Sequence, residues 1–142
     1  MSITAYILGA RFIGIKERAG TKHHPLIQWW LSLCKYGIDA ADEIPWCSAF
    51  VNGIAWELDI SRTDSAAARS WLRVGTPVAL SDAIVGFDVV VLERKGSPTA
   101  GHVGFFAGRS ESTVSLLGGN QMNEVNVSTF DKSRVIGVRR LA

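Results

Sequence analysis

The residues best suited to covalent chemistry in this chain are Cys47 and His102. Cys47 stands in Pro45-Trp-Cys-Ser-Ala-Phe50, where a polar loop ends and a helical apolar pattern begins. A sulfur in the first turn of a helix lies beside free backbone N–H groups and the positive end of the helix dipole, and both favour thiolate. A thiolate attacks carbonyl carbon, and the same N–H groups can hold the resulting oxyanion. Cys47 can equally be read as a small core residue, because it shares a helix face with Phe50, Val51 and Ile54. His102 stands in Gly101-His-Val-Gly104, at the start of an expected strand after a turn. Its glycine neighbours leave space for the imidazole, although a lone histidine there is ordinarily a strand-edge residue bonded to a carbonyl. Leu117-Gly-Gly-Asn-Gln121 ends the next strand. Asn120 could therefore sit beside His102 and accept its Nδ1 proton, fixing tautomer and orientation. Taken alone, Gly-Gly-Asn is a turn. Only the combination of cysteine at a helix head, histidine at a strand head and Asn at the end of the adjacent strand suggests a papain-like thiol hydrolase.

Other residues are assigned lesser roles. Trp46 is expected to face substrate, Trp71 to be core or a substrate-binding groove wall, Glu43 to polarise the cleft or hold a substrate amine, and Gln121 to touch substrate. Glu43 could also be a solvated loop acid. Cys34 lies in an apolar helical run and is taken as structural. With no CxxC pair, and with His23-His24 lacking ligand partners at suitable spacing, no metal is expected. No other cofactor is expected either.

The elements that must position these groups are helical first and extended second. Helices are expected over 4–17, from Pro25 to about Lys35, from Trp46-Cys47 to Leu58, and over Ala66–Leu72 with an Asp64 or Ser65 cap. Cys47, Phe50, Val51, Ile54 and Leu58 follow an i, i+3, i+4, i+7, i+11 pattern. Strands are expected at Phe87–Leu92, His102–Ala107, Thr113–Leu117, Val125–Thr129 and Val135–Val138, as an antiparallel meander. This order implies an α+β fold, with N-terminal helices packed on one face of a C-terminal sheet.

Composition narrows the function classes. The chain has 142 residues, 47% of them hydrophobic and 20% charged, so one domain with a real core is expected. The formal net charge is +2. Its cations are dispersed apart from Arg139-Arg140, which argues against nucleic acid and suits weak attraction to an anionic surface. No run reaches the ~20 apolar residues of a membrane span. The N-terminus lacks the pattern of a signal peptide. The expectation is therefore a monomer, synthesised in the cytoplasm and delivered by other means to any substrate outside.

Four segments together resemble a known group: Asp42-Glu-Ile-Pro-Trp-Cys-Ser-Ala-Phe-Val-Asn52, Asp64-Ser-Ala-Ala-Ala-Arg-Ser-Trp-Leu72, Gly101-His-Val-Gly-Phe105 and Leu117-Gly-Gly-Asn-Gln121. They are similar to single-domain CHAP-like proteins of the NlpC/P60 superfamily, which are frequent in phages and prophages. The resemblance implies a papain-like catalytic domain over 1–142 and peptidoglycan as partner. It also implies hydrolysis of an amide bond there by an amidase or endopeptidase, as in a phage endolysin released to the wall through a holin. By motif position it implies Cys47 as nucleophile, His102 as base and Asn120 as orienting residue. Gly118 stands where some CHAP enzymes carry Glu, which favours a triad over a tetrad. The Asp-rich calcium loop of some CHAP domains is absent. The other readings are a thiol acyltransferase on the same fold and a non-catalytic wall-binding or virion structural protein.

Overall fold

The computed structural model describes residues 3–18, 23–35 and 45–142. Three helices come first: α1 (Ala5–Ala10), α2 (Pro25–Ser32) and α3 (Cys47–Leu58). The strands β1 (Thr76–Pro77), β2 (Asp88–Glu93), β3 (Gly101–Arg109), β4 (Thr113–Gln121), β5 (Glu124–Asp131) and β6 (Val135–Arg140) follow. They form one antiparallel sheet in the order β1-β6-β2-β3-β4-β5. The α+β architecture is the expected one, with three differences of detail.

First, α1 stops at Ala10 instead of continuing to residue 17. The chain after it is drawn into the sheet: Gly14 N donates to Val125 O, Val125 N to Ile15 O and Glu17 N to Asn123 O. Sheet pairing satisfies backbone groups that a longer helix would otherwise have held. Second, the meander covers only β2 to β5. β6 crosses back to pair with β2, and the two-residue β1 extends that edge. The return is locked by Asp88, fully buried on β2, which accepts from Arg140 Nε (2.7 Å) and Nη2 (2.8 Å) and from Ile84 N (2.8 Å). Third, the short fourth helix is a 3-10 stretch, Ala68–Arg73, without a side-chain cap.

The caps explain why the helices start where they do. Thr4 Oγ1 accepts from Ile7 N at the head of α1, and His24 Nδ1 accepts from Leu26 N one residue before Pro25 opens α2. His24 is thus a helix cap rather than a plain surface-loop residue. Asp59, left-handed at φ 54°, terminates α3.

The helices cover one face of the sheet. Ile27, Trp30, Leu31, Phe50, Val51 and Ile54 meet Val89, Val91, Val103, Phe105 and Leu117 in the main core. A smaller core on the opposite face gathers Val90, Leu92, Phe106, Val114, Leu116 and Val138. Each large side chain here contributes about 1.5–3 kcal/mol by leaving water. α3 is buried on every side from Cys47 to Ala55. Gly53 allows this, since a Cβ there would overlap the Trp30 indole. A helix so enclosed has little freedom to move its first residue.

Candidate active site

Cys47 is the first residue of α3, and Trp46, the residue before it, makes no side-chain capping bond. The N–H groups at the helix head are therefore not taken by a capping side chain. The pairing of β3 with β4 begins at Phe105↔Leu117, and His102 precedes it at the start of β3. On the β4 side, a Cβ added to Gly119 would collide with the Trp46 ring and with Phe50 Cβ. Cys47 itself is buried in the main core.

Electrostatics set the resting state of the pair. Burial pushes the Cys47 thiol above its ordinary value of 9.0, while backbone N–H groups of Val103, Ser48 and Cys47 itself, and then the charge of Arg94, pull it down. Burial pushes the His102 imidazole below its ordinary value of 6.5. The bond to Gln121 works against that fall, and the charges of Arg134 and Arg94 add to it. At neutral pH these directions leave Cys47 as a thiol and His102 as a neutral imidazole.

The tautomer of that imidazole follows from its neighbours. Nε2 of His102 lies 2.9 Å from Gln121 Oε1. The amide of Gln121 cannot be turned round, because its Nε2 donates to Leu116 O (3.2 Å), Asn126 O (2.9 Å) and Asn126 Oδ1 (2.8 Å). Asn126 is held in turn: Nδ2 donates to Gln121 O and Oδ1 accepts from Ser128 Oγ. With an oxygen facing it, His102 Nε2 must carry the proton, and Nδ1 keeps a free lone pair. That is the form a general base needs. Phe130 flanks the ring at 5.3 Å between centroids.

The orienting partner that the structure supplies is thus Gln121 through Nε2, where the sequence pointed to Asn120 through Nδ1. β4 carries an irregularity between Gly118 and Gln121, and Asn120 is left-handed at φ 58°. That bend shifts the strand's alternation by one position. Asn120 instead lines a cleft of about 510 Å³ together with His102, Gln121 and Phe130. Gly118 lies over the site: a Cβ there would overlap Gln121 Oε1 and come within 3.4 Å of His102 Nε2, so no Glu could be accommodated.

Two tryptophans also need correction. Trp46 is fully buried, not substrate-facing. Its Nε1 donates to Glu17 Oε1 (2.8 Å), and its ring stacks on Trp30 at 5.9 Å. Trp71 is fully buried as well and donates to Ser48 Oγ (2.8 Å), which itself donates to Ser65 O (2.6 Å). Both tryptophans fix the head of α3 from behind instead of lining a groove. Glu43 lies outside the described residues. Cys34 is buried in the core with Asn52 Nδ2 at 3.6 Å from its sulfur. Among the described residues, no group of three or more His, Cys, Asp or Glu could hold a metal ion, and no helix is long and apolar enough to cross a membrane.

Sequence reasoning did not single out Arg94, Arg134, Phe130, Asn126 or Ser128. A signal existed for the last two, since Asn126 and Ser128 alternate with Val125 and Val127 along β5 and must share a face.

Helices packed on an antiparallel sheet, with a cysteine at a helix head and a histidine at the start of a strand, define a papain-like α+β fold. Comparison with solved structures places it among NlpC/P60 folds. NlpC1 of Trichomonas vaginalis superposes with a TM-score of 0.57 at 19% identity over 96% of this chain. NlpC2 of the same organism gives 0.59 at 21% over 96%, and an NlpC/P60 family protein of Bacillus cereus gives 0.59 at 16% over 97%. This chain spans 42%, 44% and 39% of those three chains, respectively. No protein-family model matches the chain. No curated protein matches it.

Proposed function

We propose that this protein is a cysteine hydrolase that cuts an amide bond in bacterial peptidoglycan, acting as one CHAP-like catalytic domain in the manner of a phage endolysin. The observation that supports the proposal is the NlpC/P60-like fold, with Cys47 as the first residue of α3 and, at the start of β3, His102 with its Nε2 held by Gln121. His102 Nδ1 takes the thiol proton as sulfur attacks the amide carbon. The carbonyl oxygen gains the negative charge, and the N–H groups at the helix head are assigned to hold it. As the carbonyl re-forms, the C–N bond breaks and His102 gives its proton to the leaving amine. Water then loses a proton to Nδ1 and attacks the thioester, which frees the carboxylic acid and restores the thiol. Asn120, on the cleft wall, is assigned to substrate contact. Delivery to the wall, through a holin or an equivalent route, belongs to the same reading.

The test is digestion of purified peptidoglycan with mass analysis of the released fragments. The wild type is expected to release soluble muropeptides bearing a new carboxylate and a new amine. Cys47→Ala and His102→Ala should release nothing above the enzyme-free blank. Equal release by Cys47→Ala overturns the assignment, and products carrying new amide bonds would make the protein an acyltransferase.

A further inference from the structure

The cleft beside His102 is cationic. Its wall carries Arg94 from the end of β2 and Arg134 from the turn before β6, and it has no Asp or Glu in its lining. Arg94 is exposed, and its guanidinium makes no hydrogen bond or ion pair with the described residues. Arg134 is fixed differently. Its Nε donates to Glu93 O (3.1 Å), and its guanidinium lies over the Phe130 ring at 5.5 Å. Those contacts hold the planar group in place and leave its terminal nitrogens without a hydrogen bond from the described residues, while its charge also acts on the nearby Asp131 carboxylate. Two like charges gathered at a groove repel each other, and a bound anion relieves that cost. Arginine also fits carboxylate in bidentate geometry. The lining also includes Phe130 and the highly exposed Met122, which offer contact to small aliphatic side chains, and the polar Asn120, Ser128 and Thr129.

We infer that this cleft binds a free carboxylate of an acidic peptide beside His102, with Arg134 and Arg94 as its clamp. The inference rests on the hydrolase reading for the identity of that peptide, but the binding does not depend on cleavage. Both arginines disfavour the imidazolium form of His102 in the empty protein, and Arg94 also favours the Cys47 thiolate. A carboxylate seated on them would reverse part of that field and make His102 a stronger base once substrate is in place. The acidic stem peptides of peptidoglycan have the required chemistry.

The experiment uses Cys47→Ala protein, which cannot turn over, and acetyl-L-alanyl-D-glutamate as probe, with the dicarboxamide of the same peptide and inorganic phosphate as comparators. Calorimetry measures affinity, and the His102 ring signals in NMR report the site. The acid should bind about tenfold or more tightly than the diamide. It should also raise the His102 midpoint. Added Arg94→Gln or Arg134→Gln should erase the preference, and Arg134→Lys should keep part of it. Equal binding of acid and diamide, a preference that survives both Gln variants, or phosphate binding as tight as the peptide acid would each overturn the inference. Carboxylate binding without any cleavage of peptidoglycan by the wild type would count against the hydrolase reading alone.

Discussion

Gln121 offers the sharpest test of how the site works. In Gln121→Ala the imidazole loses the acceptor 2.9 Å from its Nε2, and the ring is free to rotate and to adopt the other tautomer. A neutral hydrogen bond of this kind contributes about 1 kcal/mol at rest and roughly twice that when the ring becomes imidazolium in the transition state. Adding the loss of a single tautomer gives about 1.5–3 kcal/mol, or roughly 10- to 150-fold in kcat/KM. The protein should also lose about 2–4 kcal/mol of stability, because Leu116 O and Asn126 O lose their donor. The assay is a pH series of fragment release from purified peptidoglycan, normalised to folded protein. Its diagnostic feature is a sign. The Gln121 bond holds the His102 midpoint up, so removing it should move the acid limb of kcat/KM to lower pH even as the rate falls. Asn120→Ala should leave kcat and the acid limb in place and act through KM. The reasoning fails if Gln121→Ala keeps its rate and its acid limb, or if Asn120→Ala produces the shift.

Two further outcomes concern stability. Gly53→Ala should lower the thermal midpoint by several degrees: the helix-propensity gain of about 1 kcal/mol is outweighed by about 1–3 kcal/mol of overpacking against Trp30. Burial pushes the Cys34 thiol from 9.0 up to about 11, above its unfolded value. The associated stability is fully present below pH 9 and is lost as pH rises through 11, so urea midpoints should fall across that window and fall less in Cys34→Ala.

Much of this arrangement could be read from residues in series. Cys47 at a helix head follows from Pro45 before it and the apolar face after it, and His102 at a strand head follows from Gly101 and the Val-Gly-Phe-Phe run. Both are local patterns, and local patterns survive into the fold. The partner of His102 lay one residue from its expected position because strand alternation assumes an unbroken ladder. The left-handed Asn120 breaks that ladder. Trp46 was misread for a different reason. Its burial depends on Glu17, twenty-nine positions away, and on Trp30, neither of which is marked as a neighbour by local spacing. The placement of β6 beside β2 was hidden in the same way, since the Asp88–Arg140 contact joins residues fifty-two positions apart.

The short stretch from Gly14 to Glu17 ties together parts that the chemistry needs in register. Its backbone is laced to residues 123–125, beside the hairpin that carries Gln121, and the Glu17 carboxylate anchors Trp46, the residue before the nucleophile. It works as a brace between the sulfur's support and the imidazole's support. A shortened variant made by trimming ahead of α2 would retain all of Cys47, His102 and Gln121 yet release the supports of Cys47 and His102 from their common anchor. Fusions designed to carry cargo or targeting modules would accordingly be better attached after β6, where no such tether is cut.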